Sequence, residues 1–158
     1  AVNGPAIGAG FDLVNMCDLR IGSTAAQFGE TFINLGIMAG DGGAWYLRRI
    51  VGEQRAAELT FTGRIVKAEE AVALGIILET TEPAKLIARA KEIAAVIAAK
   101  PPLAVRYAKR TLRLAQHQGL HEHLESCASF QSALQNSDDH LEALAAFFEK
   151  RSGVFKGK

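Results

Sequence analysis

Beyond Pro83 the chain carries no strand signal: Ala, Leu, Lys and Glu dominate to the C-terminus, whereas the residues before it form short apolar runs punctuated by glycine. That asymmetry restricts the fold to an α/β segment followed by a helix-only region. We divide the chain at this change of texture, into an α/β core segment over 1–82 and a helical region over 83–158. In the second region the spacing predicts helices over Ala84–Ala99, Pro102–Gln118 with proline at the entry, His121–Gln135, and Asp139–Arg151 behind acidic capping residues. Their apolar faces, such as Leu103, Tyr107, Thr111 and Leu114, must bury against something.

The first region is read from its glycines. Ala1-Val2-Asn3-Gly4 has the form of a strand ending in a turn, which leads us to expect an upstream segment before Ala1. A glycine-rich turn is predicted over Gly4–Gly10, then a helix over Phe11–Cys17 and two short strands at Leu19–Ile21 and Ala26–Phe28. Gly36–Gly43 holds four glycines and Asp41, a composition suited to a loop whose backbone approaches another group closely. Helices follow over Ala44–Val51, Gln54–Phe61 and Ala68–Leu74, the last closed by Gly75 as a left-handed cap, and Ile76–Leu78 reads as a strand returning to the core.

Composition narrows the function classes. Eighteen basic residues against seventeen acidic ones leave a net charge of +1, so no electrostatic footprint marks a nucleic-acid partner. No apolar run approaches the roughly 18 residues of a membrane span, and no signal sequence precedes the fold. Cys17 and Cys127 are far apart and form no metal or disulfide pattern, so a reducing, cytoplasmic compartment is expected. His121-Glu122-His123-Leu124-Glu125 has Glu where a zinc protease needs its second His, and reads as a surface helix with no metal. Gly8-Ala9-Gly10 fails the dinucleotide fingerprint, because Leu13 stands where the third glycine belongs.

Where chemistry could reside is narrower still. The N–H groups of Gly8-Ala9-Gly10 precede a helix, so they lack intrahelical partners and lie at the positive end of its dipole, a place suited to a developing oxyanion. Asp12, in the first turn, either complements that dipole or carries a proton. Asp41 is either a turn-former or a functional acid, and Glu30 reads as a solvated or interface residue. Trp45 and the Phe147-Phe148 pair are expected in the core or lining an acyl pocket.

The string A-V-N-G-P-A-I-G-A-G-F-D-L over Ala1–Leu13, with C-D-L-R-I, A-Q-F-G, L-G-I-M-A-G-D-G-G and L-T-F-T-G-R-I-V-K-A-E-E-A-V-A-L-G-I-I in the same order, resembles the crotonase superfamily, the enoyl-CoA hydratase/isomerase family. F-F-E-K-R-S-G-V-F-K-G near the end extends the resemblance over the whole chain. It implies a crotonase-like ββα spiral core, incomplete here because its N-terminal half is absent, followed by C-terminal trimerisation helices. The implied substrate is an acyl-CoA thioester, with coenzyme A part of the substrate and no other cofactor. The implied assembly is a homo-oligomer, a trimer or dimer of trimers. The resemblance makes the Ala9 N–H one oxyanion donor, the other coming from a loop upstream of Ala1, and puts Ala6, Ile7, Gly8, Phe32, Leu35 and Gly40 around the substrate. Of the two glutamates of the best-known hydratases, one aligns with Asp12 and the other with Phe32, which cannot carry a proton. Two nearby acids, Glu30 and Asp41, could take the second place, and the glycines around Asp41 favour it. Hydratase and isomerase chemistry both fit this set. The alternative is a catalytically silent fragment that keeps an assembly role.

Overall fold

The computed structural model describes residues 1–158, which form two compact units, Ala1–Lys91 and Glu92–Lys158. In the first unit, strand β1 (Pro5–Ile7) lies parallel to β3 (Gln27–Gly29), and β3 pairs antiparallel with β4 (Val66–Lys67). A second, two-stranded sheet joins β2 (Gly22–Ser23) in parallel with β5 (Thr80–Thr81), and Val2 bridges to Gly22 beside it. In the short strands Ala6 and Phe28 turn inward, whereas Pro5 and Gln27 before them are exposed.

Helices cover this framework. α1 (Ala9–Asn15) follows β1 directly, α2 (Gly43–Val51) and α3 (Glu53–Thr62) meet at Gly52, and α4 (Ala68–Ala73) follows β4. Gly52 ends one helix and opens the next at φ 79°, a conformation that only glycine adopts cheaply. Phe11 from α1, Phe28 from β3, Leu47 from α2, Leu59 from α3 and Val66 from β4 are all essentially solvent-free and form one core. The Phe11 and Phe28 rings meet at 5.7 Å in a tilted pair, fixing α1 over the sheet. Arg64 ties α3 to α4 through Glu58 and Glu70, but these side chains are 31–41% exposed, so the bridge adds little stability.

Three expectations need correction here. Leu19–Ile21 forms no strand; the strand in this stretch is β2, which begins at Gly22. The predicted turn over Gly4–Gly10 contains β1, because Pro5–Ile7 pairs with β3 and leaves only Gly8 to turn the chain. Ile76–Leu78 forms no strand; Ile76 and Ile77 instead bury their side chains while their N–H groups donate back to the Ala71 carbonyl, wrapping the end of α4. Gly75, at φ 74°, makes that reversal possible.

The chain leaves the first unit through α5 (Leu86–Ala98). The two compact units divide within α5. The second unit adds α6 (Pro102–Leu114), α7 (Leu120–Gln135) and α8 (Asp138–Glu149). Tyr107 and Phe130 pack ring on ring between α6 and α7, and Ser137 caps α8 by accepting the His140 N–H at 3.2 Å. The buried Asp139 carboxylate accepts the N–H groups of Lys156 and Gly157 at 2.7 and 2.8 Å, while its own N–H donates to the Lys158 carbonyl. This stitches the C-terminal tail to the start of α8. Asp139→Ala should free the Lys156 and Gly157 amides to exchange with solvent and cost about 1–3 kcal/mol, the usual penalty for orphaned polar groups. Unchanged exchange protection at those two amides would refute this anchoring role. No helix is long and apolar enough to cross a membrane.

Candidate active site

The turn into α1 is built around Gly8. At φ 57° and ψ −127° it takes a backbone shape closed to side chains, donates its N–H to the Gly29 carbonyl at 2.8 Å, and offers its own carbonyl to the N–H groups of Phe11 and Asp12. Ala9 and Gly10, the first two helical residues, keep N–H groups with no intrahelical acceptor, and both residues are exposed. The Phe32 ring closes one side, 3.5 Å from where a Gly8 Cβ would stand.

Behind this turn lies a pair of carboxyl groups. Asp12 is fully buried in α1 and Glu30 is 2% exposed just past β3, and no N–H or O–H group of the chain donates to any of their four carboxyl oxygens. They converge on Gly43: a Cβ there would overlap Asp12 Oδ1 and stand 2.6 Å from Glu30 Oε1. Two carboxylates can only accept, so these two can bond each other only when one of them carries a proton. Burial pushes the Glu30 carboxyl up from 4.5 to about 8, and the hydrogen bond and negative charge of Asp12 push in the same direction. Gly43 opens α2, so the positive end of that helix dipole lies against the pair.

Around this pair the expected site residues separate into two groups. Ala6 and Gly8 are buried and Ile7 partly so, all in β1 or the turn that follows it, and Phe32 is half-buried over the turn. Leu35, Gly40 and Asp41 lie on the open side: Leu35 is 77% exposed, and Gly40 and Asp41 are exposed in the loop before α2. The acid found against Asp12 is therefore Glu30, which corrects its reading as a solvated residue. The alternation of β3 was the available signal, since Phe28 points into the core and Glu30 is two residues on, on the same face. Asn15 was also missed; it is buried one turn beyond Asp12, and its carboxamide likewise lacks a partner. Trp45 is not core but surface, with the Arg49 guanidinium stacked 3.7 Å from its ring centre, and Phe147 and Phe148 are about three-quarters exposed at 76% and 77%.

Comparison with known proteins finds relatives along the whole chain. The Enoyl-CoA hydratase/isomerase family model matches residues 1–158. The short-chain-enoyl-CoA hydratase of Clostridium acetobutylicum is 37% identical over 155 residues, covering 96% of this chain and 58% of the relative. The short-chain-enoyl-CoA hydratase of Clostridioides difficile is also 37% identical, over 93% of this chain and 94% of the relative. The crystal structure of enoyl-CoA hydratase from Bacillus anthracis superposes with a TM-score of 0.96 at 37% identity, covering 98% of this chain and 60% of that one. The chain thus spans about three-fifths of the length of several relatives it matches. With the match running from the first residue to the last, through the turn and both buried acids, this chain belongs to the enoyl-CoA hydratase/isomerase family.

Proposed function

We propose that this protein processes enoyl-type acyl-CoA thioesters through an enolate. The thioester oxygen takes the Ala9 N–H at the head of α1, and Asp12 takes the proton whose departure creates the enolate. The observation that carries this reading is the buried Asp12 carboxyl in the first turn of the helix whose free N–H groups open at Ala9. An oxyanion gathers charge as the α-proton leaves, so donors set in place beforehand favour the transition state over the ground state.

Within this class we favour proton relocation over water addition. Phe32, an apolar ring packed on the Gly8 turn, offers no acid or base that could activate a water there. Exposed apolar side chains on the second unit, among them Leu112, Leu120 and Phe147, support assembly with further copies of the chain.

Solvent isotopes test the reading. On a 3-enoyl thioester, whose α-hydrogens are acidic, the protein should exchange α-hydrogen with deuterium from solvent faster than it takes up oxygen-18. Asp41→Asn should change either rate less than threefold, because Asp41 lies exposed in its loop. Rapid oxygen-18 uptake without α-exchange would refute the preference for proton relocation, and the absence of both would refute thioester chemistry.

A further inference from the structure

Eight buried side-chain nitrogen and oxygen atoms lack a partner, and four of them belong to the two carboxyls of Asp12 and Glu30. Buried polar atoms are costly unless satisfied, and a pair that is both buried and electrostatically opposed has no evident structural benefit. Two apolar residues of similar volume would pack there at less cost. The pair nevertheless sits behind the oxyanion turn, in space kept open by the missing side chain of Gly43.

We infer that Glu30 is the second acid of this site, holding as Asp12's partner the proton that returns to carbon while Asp12 takes another away. This rests on the enolate reading above. In the proton-relocating direction, an Asp12 oxygen bonds the α-hydrogen as the C–H bond breaks, and its electron pair moves into the enolate, charging the thioester oxygen at the turn. The enolate then collapses as the Glu30 O–H bond breaks and its proton bonds the γ-carbon. Asp12 is left as the acid and Glu30 as the carboxylate. One proton passed from Asp12 to Glu30 across their contact restores the starting state, with no atom or charge left over. Glu30 takes the role that the family alignment would give to position 32, where Phe32 has no proton to offer.

The surroundings leave Glu30 without a neutralising cation. α1 contributes Asp12 and the start of α2 contributes uncharged Gly42 and Gly43, while Arg64, whose carbonyl lies near Gly29, turns its guanidinium to Glu58 and Glu70. Glu30 therefore holds its proton at neutral pH and loses it near 8. A folded-state value raised above the unfolded one favours folding fully below about 4.5, and that contribution is lost as pH rises to about 8.

The test compares wild type with Glu30→Gln and Glu30→Asp. Infrared spectra at neutral pH should show a protonated carboxyl that vanishes in Glu30→Gln, and the decline of melting temperature between pH 4.5 and about 8 should flatten in the same variant. Turnover of the enoyl thioester should fall roughly a hundredfold or more in Glu30→Gln, the range of a lost general acid. The alkaline limb of the kcat/KM profile, near pH 8 in wild type, should be absent from the residual activity. Should Glu30→Gln fold poorly, Glu30→Asp keeps an acid one methylene further back, and should retain the limb at a reduced rate. Wild-type turnover with an unmoved limb in Glu30→Gln, or full wild-type turnover in Glu30→Asp, overturns the inference while leaving the enolate reading intact. A wild-type protein that neither turns over nor exchanges α-hydrogen overturns the enolate reading itself.

Discussion

Asp12→Asn is expected to lower turnover on an enoyl thioester by about a hundredfold or more, because a carboxamide cannot take the proton that general-base catalysis removes. The substitution is nearly isosteric at a position with no solvent exposure, so the fold should persist. Thioester binding should persist too, since in the proposed reading backbone N–H groups, and not this side chain, would hold the carbonyl. The loss should therefore appear in kcat with KM nearly unchanged. A second consequence follows from the pairing. The Asp12 charge is one cause of the raised Glu30 value, after burial, so removing that charge should move the alkaline limb of any residual activity below the wild-type value of about 8. Near-wild-type kcat in Asp12→Asn would exclude Asp12 as the base, and a large rise in KM alone would recast it as a binding group.

The sequence displayed the scaffold better than the contacts within it. Glycines that end helices were legible because their role is local: Gly52 and Gly75 have positive φ, as their positions at the ends of apolar periods imply. The helix-only region beyond Pro83 was legible for the same reason, with boundaries off by a few residues where helix ends fray. Strands were harder. Each is two or three residues long, too short for alternation to show, so Pro5–Ile7 was read as a turn and Ile76–Leu78 as a strand. Asp12 stands out in the sequence by its place after a glycine turn, whereas Glu30, the acid buried against it, does not. The glycines around Asp41 indicated room, but room is equally a property of exposed loops, and Asp41 lies in one. What separates Glu30 from Asp41 is burial, set by how β3 and α2 converge, and that is a long-range property. Gly43 shows the same limit: in sequence it is one of a run of glycines, and only the fold reveals which of them faces the acids.

Gly43→Ala should therefore do more harm than a glycine-to-alanine change at the start of a helix ordinarily does. Gly43 is not in the left-handed region, so the backbone accepts alanine, and helix propensity alone would favour it by up to about 1 kcal/mol. The new methyl group, however, would overlap Asp12 Oδ1 and stand 2.6 Å from Glu30 Oε1 and 3.0 Å from the Ala39 Cβ. Ala39 can shift with its loop, but the carboxyls are 0% and 2% exposed and can yield only by displacing their neighbours. Either the pair separates or the first turn of α2 moves outward, and both displace the acids from the Ala9 turn. A displacement of about 1 Å in a catalytic group can cost a hundredfold in rate, and overpacking a core typically costs about 1–3 kcal/mol. We expect turnover to fall by about that hundredfold, with a lower melting temperature and an alkaline limb moved below about 8 as Glu30 loses its neighbour. Gly4→Ala is the control, since a Cβ there meets nothing within 4 Å, and it should leave rate and pH profile as they are. If Gly43→Ala instead raised stability and kept both the wild-type rate and the position of the limb, the acids would have room to spare, and the missing side chain of Gly43 would not be what holds them together.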